Sequence, residues 1–61
     1  MMFQSSHYFT ELHPWTNATH TYVTLADGTS HAPIHGIGTV RFLINNTFPV
    51  EFHNALFVPS L

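Results

Sequence analysis

No cysteine occurs among the 61 residues, which removes disulfide staples, thiolate metal sites and a cysteine nucleophile together. Basic side chains are almost missing as well. Arg41 stands alone against three acidic residues, and a formal net charge of -2 leaves no basic stripe to neutralise phosphates, so nucleic-acid binding by this segment is not expected. Charged residues of either sign make up 7%, where an ordinary soluble protein has roughly a quarter. No apolar run is long enough to cross a bilayer, and Met1-Met2-Phe3-Gln4-Ser5-Ser6-His7 has neither a basic start nor an apolar core. The expectation is therefore a cytoplasmic chain with no membrane partner.

What is abundant is apolar and aromatic. Apolar residues reach 44% and aromatics 15% in a chain that allows at most one small domain with a marginal core. So many rings with so few charges would leave apolar patches in solvent, which points to a piece of something larger or to self-association.

Along the chain, residues 1–20 scatter Phe3, Tyr8, Phe9 and Trp15 among polar residues with no sustained period. They read as an irregular N-terminal segment, at most a helical turn near His7 to Leu12 where Tyr8, Phe9 and Leu12 share a face. From residue 21 alternation takes over. Val23 and Leu25 oppose Tyr22, Thr24 and Ala26, and the run meets Asp27-Gly28, a dipeptide suited to a tight hairpin. A return strand over Thr29 to His35 is demoted to an edge or bulge by Pro33. Val40, Phe42 and Ile44 then alternate with Thr39, Arg41 and Leu43 up to Asn45-Asn46, a pair able to enter the left-handed region. Phe48, Val50 and Phe52 alternate after it, followed by the short apolar run Ala55-Leu56-Phe57-Val58. The expected fold class is all-β: a partial small β-barrel of four to five short, mostly antiparallel strands over 21–61, with Phe42, Phe48, Phe52 and Phe57 filling its core.

Three ordered blocks carry a family likeness. Val23-Thr24-Leu25-Ala26-Asp27-Gly28-Thr29, Ile34-His35-Gly36-Ile37-Gly38-Thr39-Val40 and Asn54-Ala55-Leu56-Phe57-Val58-Pro59-Ser60-Leu61 together resemble the retropepsin-like protease region of Copia-type LTR retrotransposon Pol polyproteins. The likeness covers Val23 to Leu61. It implies a retropepsin-like β-barrel that cuts the element's own polyprotein, with polyprotein segments as partners. It also implies an Asp-Ser/Thr-Gly-Ala catalytic loop followed by His-Met just before this segment, and an Asn-Leu-Leu-Ser segment after Val58-Pro59-Ser60-Leu61. Neither is in the chain, so the expectation is a fragment without peptidase activity.

The residues themselves agree with that expectation. Aspartic proteolysis needs two carboxylates sharing one proton, one activating water and the other protonating the carbonyl. The one Asp, Asp27, precedes glycine instead of Ser or Thr and reads as a turn residue, while Glu11 and Glu51 read as solvated. Among the six histidines, His31 and His35 are separated by Pro33, which forbids a shared helical face. On a strand they would lie roughly 13 Å apart, too far to chelate one ion. His7, His13, His20 and His53 show no ligand spacing, and Ser5-Ser6-His7 lacks the glycines of a nucleophile elbow. Asn17-Ala18-Thr19 and Asn45-Asn46-Thr47 fit the glycosylation acceptor pattern but read as polar turns. No catalytic, cofactor-binding or metal-binding residue is therefore expected. The alternative function is a small β-rich interaction module that pairs through an exposed sheet edge.

Overall fold

The computed structural model describes all 61 residues and contains strands and one 3-10 turn. Strands β1 (Met2–Phe3), β2 (Phe9–Pro14), β5 (Gly36–Ile44) and β6 (Phe48–Phe57) form a mixed sheet in the order β1-β6-β5-β2, and β3 (Tyr22–Thr24) pairs with β4 (His31–Pro33) in a separate ribbon. β1 runs parallel to β6, and every other pairing is antiparallel. The all-β expectation holds. The sheet stays open, with β1 and β2 as its two edges, so no closed barrel forms.

The N-terminal segment is not irregular. It supplies both edge strands, joined by a 3-10 turn at Ser6–Tyr8 that the Ser5 side chain caps by accepting from the His7 N–H. A bulge between Phe9 and Glu11 explains why the pattern hid β2. It breaks strict alternation, so Phe9 and Leu12, three apart, lie on one sheet face, a spacing that in sequence looks helical.

β6 repeats the device. His53 and Asn54 together face Thr39, with Asn54 at φ 58°, so Phe52 and Ala55 share a face across the bulge. On that face the register sets Phe9 and Phe52 beside Val40, Ala55 beside Gly38 and Phe57 beside Gly36. Ring centroids run continuously from Phe52 to Phe42 (5.4 Å), Phe42 to Phe3 (6.4 Å), Phe3 to Phe9 (5.9 Å), Phe9 to Phe57 (5.9 Å) and Phe57 to His35 (6.2 Å). Val40, Ala55 and Val58 are fully buried beneath this stripe. The expected phenylalanine core is thus displaced toward small residues: Phe52 and Phe57 are half-buried, Phe42 is 37% exposed and Phe48 is 65% exposed. The cause is length. β2 pairs with β5 only between Gly36 and Val40, and β1 reaches only Leu56 and Phe57, so the β5–β6 hairpin from Arg41 to Glu51 projects as a two-stranded arm, covered only at its base where Phe42 meets Phe3.

The arm closes at Asn45 and Asn46, whose φ values of 54° and 56° are the two left-handed positions expected there, with Thr47 N–H donating to Ile44 at 3.0 Å. The β3–β4 turn is longer than the Asp27-Gly28 pair alone. Leu25 N–H donates to the Ser30 carbonyl, Gly28 sits at φ 78°, and Asp27 takes the amides of Thr29 and Ser30, so β4 begins at His31 and not at Thr29. After Pro33 the chain changes partner: Ile34 N–H still donates to Thr21, whereas His35 N–H donates to Phe57. The result is a flat body of 39 × 25 × 15 Å with a radius of gyration of 12.6 Å, against about 10.5 Å for a compact domain of this length. No helix is long and apolar enough to cross a membrane.

Candidate functional site

The sheet has an aromatic face and a polar one, and the polar face carries the titratable groups. Glu11 and His13, two apart on β2, project to that side, and His13 Nε2 lies 2.6 Å from Glu11 Oε1. Glu11 stands opposite Thr39 in the register, and Thr39 Oγ1 lies 3.3 Å from Nδ1 of His53 at the β6 bulge. Glu11, His13, Thr39 and His53 thus form one row across β2, β5 and β6, and with Ile37, Gly38 and Asn54 they line a shallow cleft of about 190 Å³. A second groove of about 350 Å³ lies at the end of the sheet between Leu12, His13, Pro14, His35, Gly36 and Phe57. β2 contributes to both. Reading β2 as a strand from its sequence would have found the Glu11–His13 pair, since residues two apart share a face. The concealed bulge prevented that.

The Glu11 and His13 side chains are 65% and 64% exposed, so solvent screens their attraction and the pair contributes little to stability. The carboxylate orients an imidazole at an open sheet edge, with no serine, threonine or cysteine nucleophile hydrogen-bonded to that ring. No group of three or more His, Asp or Glu side chains converges closely enough to hold a metal ion.

The other considered residues lie apart from the cleft. Asp27 sits in the β3–β4 turn, where the Ser30 hydroxyl donates to Oδ2 and the Thr29 and Ser30 amides donate to Oδ1. These donors, the Ser30 hydroxyl foremost, hold its carboxyl down at about 2. Glu51 faces Arg41 across the β5–β6 ladder, and no hydrogen bond joins any two carboxyl groups. The His31 ring lies tilted against Tyr22 with centroids 4.3 Å apart and approaches Thr24 Oγ1 at 3.5 Å, whereas His35 meets Phe57 edge-on. Asn17 Oδ1 accepts from Thr19 and His20 N–H, and Trp15 Nε1 donates to the His20 carbonyl at 2.6 Å, so that loop is tied by its own side chains. No protein-family model, curated protein or solved structure matches the chain.

Proposed function

We propose that these residues are a β-sheet segment of a retropepsin-like aspartic protease domain from a Copia-type retrotransposon polyprotein, without peptidase activity by themselves. One observation carries the reading. The second and third resemblance blocks, distant in sequence, are hydrogen-bonded neighbours: Gly36 pairs with Phe57, Ile37 with Leu56 and Gly38 with Ala55. The first block ends in the β3–β4 turn, one strand before the second. Two of the three blocks thus meet in one sheet, and the first lies in the adjoining β3–β4 ribbon. The chemistry supports the second half of the proposal, because the one aspartate is already committed to the Ser30 turn and no second carboxyl lies against it. Such a segment serves as a wall for chain supplied from elsewhere in the polyprotein.

Two measurements test this. The purified chain, incubated with a library of unstructured peptides, should show no cleavage that pepstatin suppresses. The DNA upstream of the Met1 codon should encode Asp-Ser-Gly or Asp-Thr-Gly in frame. Sustained pepstatin-sensitive cleavage by the 61 residues would end the claim of inactivity, and an upstream frame without the motif would end the family assignment.

A further inference from the structure

β2 is an edge strand whose outer side is unpaired. Trp15 N–H donates to the His35 carbonyl, and the Glu11 and His13 carbonyls abut Gly38 and Gly36. The odd-numbered residues of β2 therefore turn their backbone groups toward β5. Alternation leaves the Leu12 N–H and C=O and the Pro14 C=O pointing outward. Edge strands are guarded by charge, proline, bulges or shortness. β2 has a bulge at Phe9/Glu11 and Pro14 at its end, which confine the free edge to Glu11, Leu12 and His13, with the Leu12 N–H as its outward donor.

From this geometry we propose that β2 is a self-pairing edge: two copies of the chain join β2 to β2 antiparallel, with Leu12 on the two-fold axis. Register decides the matter. Outward-facing residues must oppose one another, which permits only shifts of two residues. Centring on Glu11 sets two carboxylates face to face, and centring on His13 sets two imidazoles face to face. Centring on Leu12 alone places each Glu11 opposite the second copy's His13, an unlike pair at the close, non-hydrogen-bonded positions. In that register each Leu12 N–H donates to the second copy's Leu12 carbonyl, and the two Leu12 side chains meet on the aromatic face beside the Leu12–Pro14–Phe57 groove. The two Glu11–His13 contacts, one within each chain, are exchanged for two between chains.

Exposed area agrees with an unfilled contact. The chain exposes 4450 Å², whereas a compact monomer of 6.9 kDa exposes about 4000 Å². A six-residue edge buries less than a standard interface, so the dimer is weak and reversible. It is also closed. Pairing consumes β2 of both copies, and a two-fold contact between identical surfaces closes at two chains. The contact uses none of the three resemblance blocks, because β2 lies outside all of them. It stands whether or not the chain derives from a protease.

At 61 residues the chain is accessible to chemical synthesis, which permits a single N-methyl group at Leu12. That change removes the outward donor and leaves the β5-facing bonds alone. Sedimentation equilibrium of the native chain should show a monomer–dimer equilibrium. N-methyl-Leu12 should weaken it at least about tenfold, with an unchanged far-ultraviolet dichroism spectrum. His13→Glu should weaken it too, and combining that change with Glu11→His should restore it, since the swap recreates unlike pairs. A native chain that is monomeric up to millimolar concentration overturns the proposal. So does a dimer indifferent to N-methyl-Leu12, and if Phe48→Ser dissolves that dimer, the projecting arm is the interface instead.

Discussion

Asp27 fastens the β3–β4 turn to Ser30 twice: Oδ2 accepts from the Ser30 hydroxyl at 2.5 Å and Oδ1 from the Ser30 N–H at 2.8 Å. An aspartate held this way is an acceptor already in use. It is poorly suited to sharing a proton with a second carboxyl, and the turn rather than any catalytic loop explains the residue.

The same contacts make the turn acid-sensitive. Asp27 drops from an ordinary 3.8 to about 2 because its donors favour the ionised form. A depressed value in the folded state means that the stabilisation is fully present above the unfolded value and is lost as pH falls through about 2. Carbon-13 titration of the Asp27 carboxyl should show that low midpoint, with the Thr29 and Ser30 amides moving in step. Asp27→Asn should retain the amide contacts and abolish the step. A midpoint near 4 with silent amides would contradict the capping role.

The glycines of the second block answer to backbone proximity, and Gly38 does so most sharply. A Cβ built there would stand 1.8 Å from the Glu11 carbonyl oxygen and 2.9 Å from the Leu12 Cα, both backbone atoms that cannot swing aside. Gly38→Ala should therefore detach β2 or cost about 1–3 kcal/mol, read as a lower midpoint in urea. Gly28→Ala meets no atom within 4 Å but keeps a φ of +78°, so its penalty is conformational strain alone, about 1 kcal/mol. Gly38→Ala should be the costlier of the two.

How far the sequence foretold this fold depends on where alternation is intact. Val40, Phe42 and Ile44 alternate with Thr39, Arg41 and Leu43, and β5 covers that stretch but also extends back through Gly38, Ile37 and Gly36, where the pattern does not reach. Asp27-Gly28 and Asn45-Asn46 are turns because their side chains or backbones accept geometries that other residues resist. β2 was illegible, since its bulge puts Phe9 and Leu12 at a helical spacing, and with it went the Glu11–His13 row. The phenylalanines misled for a different reason. Alternation shows that Phe48 shares a face with Val50 and Phe52, but not that the neighbouring strands stop short of it.

Burial and ring size consequently make opposite forecasts for truncation. Val40 is fully buried between Phe9 and Phe52, so Val40→Ala should cost about 2 kcal/mol from lost transfer and residual cavity. Phe48, larger but 65% exposed on the arm, should cost less than about 1 kcal/mol as Phe48→Ala. Phe42 and Phe52 should fall between these limits. Paired thermal melts rank them, and a greater loss at Phe48 than at Val40 would mean that the arm is covered in solution.

The arm's own turn offers a stabilising change. Asn45 and Asn46 both occupy the left-handed region, at φ 54° and 56°, which asparagine tolerates and glycine enters without steric cost. Ile44 pairs with Phe48, so the connection is Asn45-Asn46-Thr47, and glycine at its second left-handed position removes the steric cost that a Cβ carries there. Asn46→Gly should accordingly raise stability by about 0.5–1 kcal/mol, and Asn46→Ala should lower it by a similar amount. The readout is local: amide exchange at Ile44 and Thr47, whose N–H to C=O contact closes the turn at 3.0 Å, should slow in the first variant and quicken in the second. Equal exchange in both would mean that the arm is open at that end, and its register would then have to come from Arg41 opposite Glu51 and Phe42 opposite Val50 nearer the body of the sheet.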